Sequence, residues 1–297
     1  MKRPSILFIG PVMTSSGYGT HARQLLRALN DSGLFDIYVE SIKWGETSFL
    51  SGPEVNWIVP MIRARESAGD RRFDISVQVT IPNEFRRAAR LTIGVTAGIE
   101  VDRVSPTWIQ KVNDEVDLLI VPSRHSQKTF TDTRYQSNDG NVLELKRPVI
   151  VIGESVPETF FPTAIESVIK DDTRNILVVG LGLDKALGQD RKNISNTVLW
   201  FLREFAGRDD VGLVMKAGIV NNSLLDFEHL TKRVAELRAL SGVGNLPKIT
   251  IIHGRISEDG MARLYNDPKI VALVSLTHGE GFGLPILEAF AAEIPVI

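Results

Sequence analysis

Cysteine is absent from the 297 residues. That excludes disulfides, thiolate nucleophiles and Cys-ligated zinc, and it suits a cytosolic setting. No apolar run approaches the ~18 residues that a membrane span needs; LLIVP at 118–122 and IVALVSL at 270–276 are typical of the longest. An excess of one charge is missing as well. The formal net charge is -2, so no overall field recruits nucleic acid or anionic lipid. Metal-ligand patterns are wanting: His21, His125, His229, His253 and His278 are scattered with no H-x-x-x-H pair, and there is no D-x-D. The DD pairs at 171–172 and 209–210 lie in charged surroundings. The start, MKRPSILFIGPVM, has the basic residues and apolar run of a signal peptide, but it breaks at Gly10-Pro11 without a small-residue cleavage site and reads as a first β-strand.

What is present is an ordinary globular composition, 43% hydrophobic and 24% charged, long enough for two cores. Short apolar runs recur at 5–10, 35–40, 73–79, 90–96, 117–123 and 148–153, then at 175–182, 212–218, 248–254, 270–276 and 294–297. Most are continuous rather than alternating, as expected of strands buried on both faces of a parallel sheet. Helical patterns fall between them at 124–131, 193–206 and 225–240, and in THARQLLRAL, where Ala22, Leu25, Leu26 and Leu29 follow the i, i+3, i+4, i+7 spacing. The alternation predicts an α/β protein. It breaks once, at GESVPETFFPT (153–163), which predicts two Rossmann-like domains, 1–157 and 158–297, facing each other across a cleft. The chain stops at IPVI, inside an expected strand, so the second domain reads as incomplete.

The most informative stretch is THGEGFGLPILEAFAAEIPVI (277–297). A buried strand ends near Leu276, a glycine-rich turn follows with Gly279, Gly281 and Gly283, and a helix is predicted from about Pro285. Free amides around Phe282, Gly283 and Leu284, at the positive end of the helix dipole, form an anion site suited to a nucleotide diphosphate. Glu280 and Glu288 flank it with seven residues between them. A carboxylate in that position can accept both hydroxyls of a ribose; it can also simply complement the dipole.

Two adjacent cations, Arg191 and Lys192, open a helix after another glycine turn, with Asn193 or Ser195 available as its cap. Lys216, at a strand end, is a further candidate for the same cleft. A solvated surface cation is the plain alternative for each.

GYGTHA at 17–22 fits G-x-G-x-x-A, and Glu40 ends the second strand as the acid of a dinucleotide fingerprint would. A dehydrogenase turn follows its strand at once. Here PVMTSS separates Gly10 from Gly17, and that longer loop argues against NAD. In GVTAGIEVDRVSP (94–106), Glu100 and Asp102 stand at an expected cleft edge, open to sugar binding, acceptor activation or helix capping. The basic segments 63–72 and 85–91 are either a solvated face or a surface for an acidic acceptor, a phospholipid headgroup layer at a peripheral membrane contact, or nucleic acid.

Together GEGFGLPILEAFAAEIPVI, the N-terminal glycine loop, LLIVPSRHS (118–126), VIGESVPETFFP (151–162) and ILVVGLG (176–182) resemble the retaining GT-B glycosyltransferases of family 4, the group 1 type with its E-x7-E signature. The resemblance implies a hexosyltransferase-like enzyme that binds a UDP- or GDP-sugar mainly through its second domain and transfers the sugar to an acceptor, be it glycan, lipid, protein or nucleic acid. It implies that Glu288 holds the ribose, the amides of Gly281, Phe282, Gly283 and Leu284 the phosphates, and that Glu280 faces the donor sugar or its departing phosphate. Lys192 fits the family's lysine for the leaving diphosphate. The arginine usual after the domain's first strand is missing from VVGLGLDK, and Arg191 is the substitute. Gly17 and Gly19 would approach the diphosphate. Relatives carry a histidine near 94–106; this chain has none there, leaving Glu100 and Asp102 as the nearest polar groups. No metal is expected, since basic residues and helix amides take the ion's place. A sugar-nucleotide epimerase of the same fold and a non-catalytic nucleotide-binding fragment are the competing readings.

Overall fold

The structure is a computed structural model that describes residues 3–45, 47–136, 138–170, 172–181, 187–218 and 222–297. The expected strand end at Gly182, most of the LGLDK segment and Asp171 of the first DD pair lie outside the described residues. The chain divides into two compact units, Met1–Ser155 with Glu280–Phe282, and Val156–Gly279 with Gly283–Ile297.

The first unit opens with β1 (Ser5–Gly10), whose six residues are all buried. It continues through α1 (Gly17–Asp31), β2 (Asp36–Ser41), α2 (Pro53–Asn56), α3 (Val59–Ser67), β3 (Ile75–Val79), β4 (Leu91–Val95), α4 (Pro106–Glu115), β5 (Leu118–Val121) and α5 (Arg124–Asp132). A two-stranded antiparallel ribbon, β6 (Tyr135–Gln136) with β7 (Val142–Leu143), precedes β8 (Val149–Val151). Six strands form one parallel sheet in the order β2-β1-β3-β4-β5-β8. The order reverses direction between β1 and β3, the switch point at which a doubly wound sheet leaves a crevice beyond its strand ends. Ala22 and Leu26 of α1 pack with Phe8, Val39, Ile58, Val77 and Val79 into the core on that side. Each of these side chains larger than alanine contributes about 1.5–3 kcal/mol on full burial.

The second unit holds β9 (Arg174–Leu181), α6 (Ile194–Glu204), β10 (Val211–Gly218), α7 (Leu224–Ser241), β11 (Lys248–His253), α8 (Glu258–Tyr265), β12 (Ile270–Leu273) and α9 (Leu284–Ala291). Its sheet is parallel, in the order β11-β10-β9-β12, so here the switch point lies between β9 and β12. Residues 294–297, expected as a strand, run parallel to the end of β12 for a short stretch: the Leu273 amide donates to the Pro295 carbonyl (2.8 Å), the Ile297 amide to the Leu273 carbonyl (2.9 Å) and the Ser275 amide to the Ile297 carbonyl (2.8 Å). Buried Asp267 ties the entry of the unit to β12: its carboxylate accepts from the amides of Val168 (2.7 Å), Ile169 (3.3 Å) and Lys269 (2.9 Å) and from the Ser167 hydroxyl. Among the described residues no helix is long and apolar enough to cross a membrane.

Candidate functional site

The segments that leave β9 and β12 meet at the switch point of the second unit. After β9 the chain makes a tight turn in which Asn193 is left-handed (φ 53°, ψ 30°) and its amide donates to the Asp190 carbonyl at 2.9 Å. The sequence offers Asn193 or Ser195 as the cap of α6. Asn193 does hold the N-cap position, but its side chain makes no capping bond; Asp190 supplies the side-chain acceptor instead, its Oδ2 accepting from the Ile194 amide at 2.6 Å. Asn193 uses its side chain elsewhere, donating from Nδ2 to the Leu276 carbonyl at 3.0 Å, and Ser195 is wholly buried. The turn is joined to the segment after β12 by further bonds. The Arg191 carbonyl accepts from the His278 amide (2.9 Å) and the Thr277 hydroxyl (3.1 Å), and its guanidinium donates to the Gly279 carbonyl at 2.7 Å. Arg191 and Lys192 are thereby held beside the residues that lead into α9, with Lys192 half-buried.

Gly283 is the N-cap of α9 with φ 88°, a left-handed backbone in which a side chain would be strained. The helix starts at Leu284, and Pro285 is its second residue, one position later than the sequence expectation. Pro285 has no N–H, and the Ile286 and Leu287 amides donate to the Gly283 carbonyl at 2.8 and 3.0 Å, so the amides at this end with no acceptor inside the helix are those of Gly283 and Leu284. Glu288 lies one turn in, half-buried. Burial pushes its carboxyl up to about 7, opposed by a hydrogen bond with Tyr265 and helped by the charge of Glu258. Glu280, Gly281 and Phe282 group with the first unit, whereas Gly283, Leu284 and Glu288 belong to the second. Lys216 is not an idle cation: its Nζ donates to the Gly254 carbonyl, and burial lowers its pKa.

In the first unit the two glycines of GYGTHA differ in kind. A Cβ on Gly17 would meet nothing within 4 Å, so its surface is open. A Cβ on Gly19 would stand 2.3 Å from the Thr14 carbonyl oxygen, and the Gly19 amide already donates to the Ser16 hydroxyl, the N-cap of α1. Internal packing therefore accounts for Gly19. Between them, Tyr18 shares a hydrogen bond with the Thr96 hydroxyl at 3.0 Å and accepts from the Ala97 amide at 3.0 Å, joining α1 to the segment after β4. Glu100 and Asp102 are exposed in that segment. The N-cap position of the next helix, α4, is held by Ser105, whose side chain makes no capping bond. His21 is buried against Glu154 rather than lying open in a loop.

Tyr18, Asp190, Tyr265 and the His21–Glu154 pair are absent from the sequence reading. Tyr18 carried a signal, standing inside the glycine fingerprint; the others depend on partners distant in the chain.

Two Rossmann-like α/β units define the GT-B fold, and the comparisons with known proteins agree. Residues 231–297, the stretch that runs through β11, α8, β12 and α9, match the family model for Glycosyl transferases group 1. No curated protein sequence matches the chain. Among solved structures, the E. coli trehalose-6-phosphate protein bound with UDP-2-fluoro glucose is similar at 12% identity and TM-score 0.57, over 97% of this chain and 81% of that one. HepE from Anabaena, in complex with UDP, is 14% identical with TM-score 0.51, over 98% and 79%. A UDP-forming α,α-trehalose-phosphate synthase from Burkholderia xenovorans, in complex with glucose-6-phosphate, is 12% identical with TM-score 0.58, over 99% and 84%. At these identities the likeness is one of fold.

Proposed function

We propose that the protein is a retaining glycosyltransferase that moves a hexose from a UDP- or GDP-sugar to a hydroxylated acceptor. The observation that carries this reading is the junction in the second unit: the Arg191–Asn193 turn hydrogen-bonded to residues 276–279, directly before the N-terminus of α9 and Glu288. Such a junction supplies two cations and a helix dipole for a diphosphate, and a carboxylate for a ribose diol. Charge builds on the departing diphosphate as the sugar leaves, so Arg191, Lys192 and the α9 amides act where catalysis needs them. Glu280 is assigned to the donor sugar, Glu100 to the acceptor side. Two of the similar structures contain UDP or a UDP-sugar, which favours uridine as the base.

The test is calorimetric titration with UDP, GDP, ADP and NAD⁺ in turn, followed by incubation of the matching nucleotide-sugar with a panel of glycans, lipids and sugar phosphates. Binding of UDP or GDP, with acceptor-dependent release of that nucleotide, is expected. NMR of the product should show the donor's anomeric configuration kept. Tight binding of NAD⁺ alone would overturn the reading. Release of the nucleotide without any acceptor would point to the epimerase instead, and binding without turnover to a non-catalytic module.

A further inference from the structure

The ribose assignment of Glu288 raises the question of what orients its carboxyl, and the answer lies in α8. Tyr265, the last residue of that helix, is completely buried, with its ring 5.8 Å from that of Phe160. Its hydroxyl donates to the Pro285 carbonyl in the first turn of α9 at 3.2 Å, and it lies close enough to the Glu288 side chain, one turn on, to be bonded by it instead. A phenol has one proton and can donate it to one acceptor at a time. The two acceptors therefore compete, and the protonation of Glu288 decides between them. When Glu288 is protonated, its own O–H can donate to the Tyr265 oxygen, and Tyr265 donates onward to Pro285. When Glu288 is ionised it can only accept, and the Tyr265 proton must turn from Pro285 to the carboxylate.

We propose that Tyr265 is the positioning residue for Glu288: its single hydroxyl proton, shared between the Pro285 carbonyl and the Glu288 carboxylate, fixes the rotamer in which the carboxylate can accept the two hydroxyls of the donor's ribose. This rests on the ribose reading of Glu288. The geometry makes the role specific. Tyr265 ends α8 and its hydroxyl meets the first turn of α9 from another helix, so a single bond from it leaves the carboxylate's remaining lone pairs for a ligand. It also couples recognition to pH. The titratable groups that act on Glu288 are Tyr265 and Glu258, the last and first residues of α8. Only the ionised carboxylate accepts from both hydroxyls of a diol, so affinity should rise as pH passes upward through about 7, where Glu288 loses its proton. Removing the Tyr265 hydroxyl takes away a bond that favours the ionised form, and should move that rise to higher pH.

The experiment compares UDP or GDP, whichever binds, with its 2′,3′-dideoxy analogue, for the unaltered chain, Tyr265→Phe, Glu288→Gln and Glu258→Gln, between pH 5.5 and 8.5 on the order of half-unit steps. In the unaltered chain the ribose hydroxyls should improve affinity by about tenfold or more. Tyr265→Phe should reduce that discrimination severalfold, leave affinity for the dideoxy analogue unchanged, and displace the pH-dependent rise upward. Glu258→Gln removes a neighbouring negative charge and should displace the rise downward, a readout that does not depend on the fate of the buried phenol. If Tyr265→Phe weakens both nucleotides equally, or leaves discrimination and pH profile intact, the positioning role is overturned while the ribose assignment stands. If Glu288→Gln discriminates as the unaltered chain does, the ribose assignment fails and the positioning role with it.

Discussion

The Nδ1 atom of His21 in α1 stands 3.5 Å from Oε1 of Glu154, and the two side chains are only 9% and 4% exposed. Three residues further on, the Gln24 amide brackets Ser155, donating to its carbonyl at 2.6 Å and accepting from its amide at 3.3 Å. α1 thus holds the last residues of the first unit through one buried titratable pair and one amide clamp.

The pair predicts a stability optimum in mildly acid solution. Burial lowers His21 to about 4 from its ordinary 6.5. Between those values the unfolded chain binds the extra proton, so stability falls as pH drops from 6.5 toward 4. Burial acts oppositely on Glu154, pushing it up to about 7 from 4.5. Its contribution is complete below 4.5 and is lost as pH rises through 7. Between about 4.5 and 6.5 the two contributions offset, so thermal unfolding followed by circular dichroism at a series of pH values should show a plateau there with a short limb on each side. Glu154→Gln, neutral throughout, should remove the alkaline limb and let the acid limb run from about 4 to 6.5; an unchanged profile would refute the assignment.

Gly17→Ala and Gly19→Ala should separate binding from folding. The new methyl at 19 meets the Thr14 carbonyl oxygen at 2.3 Å, an approach the backbone must move to relieve, at a cost of about 2 kcal/mol or more. The methyl at 17 meets only open space. Gly17→Ala should therefore keep the original urea midpoint while weakening nucleotide binding severalfold. Equal loss of stability in both variants would contradict the distinction.

Much of this architecture can be read from the chain before folding. β1 and β10 are continuous apolar runs because parallel strands are covered on both faces, and such runs stand out. The expected strand at 294–297 does find a partner, running parallel to the end of β12, but over too few residues to extend the sheet as a full strand. β6 and β7 are two residues each, too short to have a period. At the site, the glycine turn, Pro285 and Glu288 follow one another closely and are legible as a helix start bearing a carboxylate. The Asp190 cap was hidden because a left-handed Asn193 places the acceptor four residues before the amide it serves. Tyr265 was hidden because its role is defined by a hydroxyl between two groups of another helix, which no local pattern encodes.

Glu288→Ala and Lys192→Ala should fail in different ways. Loss of the carboxylate should weaken nucleotide binding by about ten- to a hundredfold, seen by calorimetry. Loss of the ammonium should lower kcat by about a hundredfold while the Kd for the nucleotide changes by less than about fivefold, since its partner is charge that develops on the leaving group. Identical behaviour of the two variants would mean that the diphosphate and ribose roles are wrongly divided.

Asp267→Ala should be among the most damaging changes away from the site. It removes the acceptor shared by the part-buried amides of Val168 and Lys269 and the buried amide of Ile169, at a cost of about 1–3 kcal/mol. Denaturant titration of the second unit would show the loss as a shifted midpoint. A midpoint that stays put would mean that solvent replaces the carboxylate at no cost.

The bonds between the Arg191–Asn193 turn and residues 276–279 have a consequence for anyone recombining such proteins. Each segment supplies the other with backbone partners that a foreign loop would not match: Leu276 and Gly279 offer carbonyls to Asn193 and Arg191, and the Arg191 carbonyl receives His278. A graft meant to alter nucleotide choice would have to transplant both segments as a matched set, because either one alone arrives with its hydrogen-bond complement left behind in the parent.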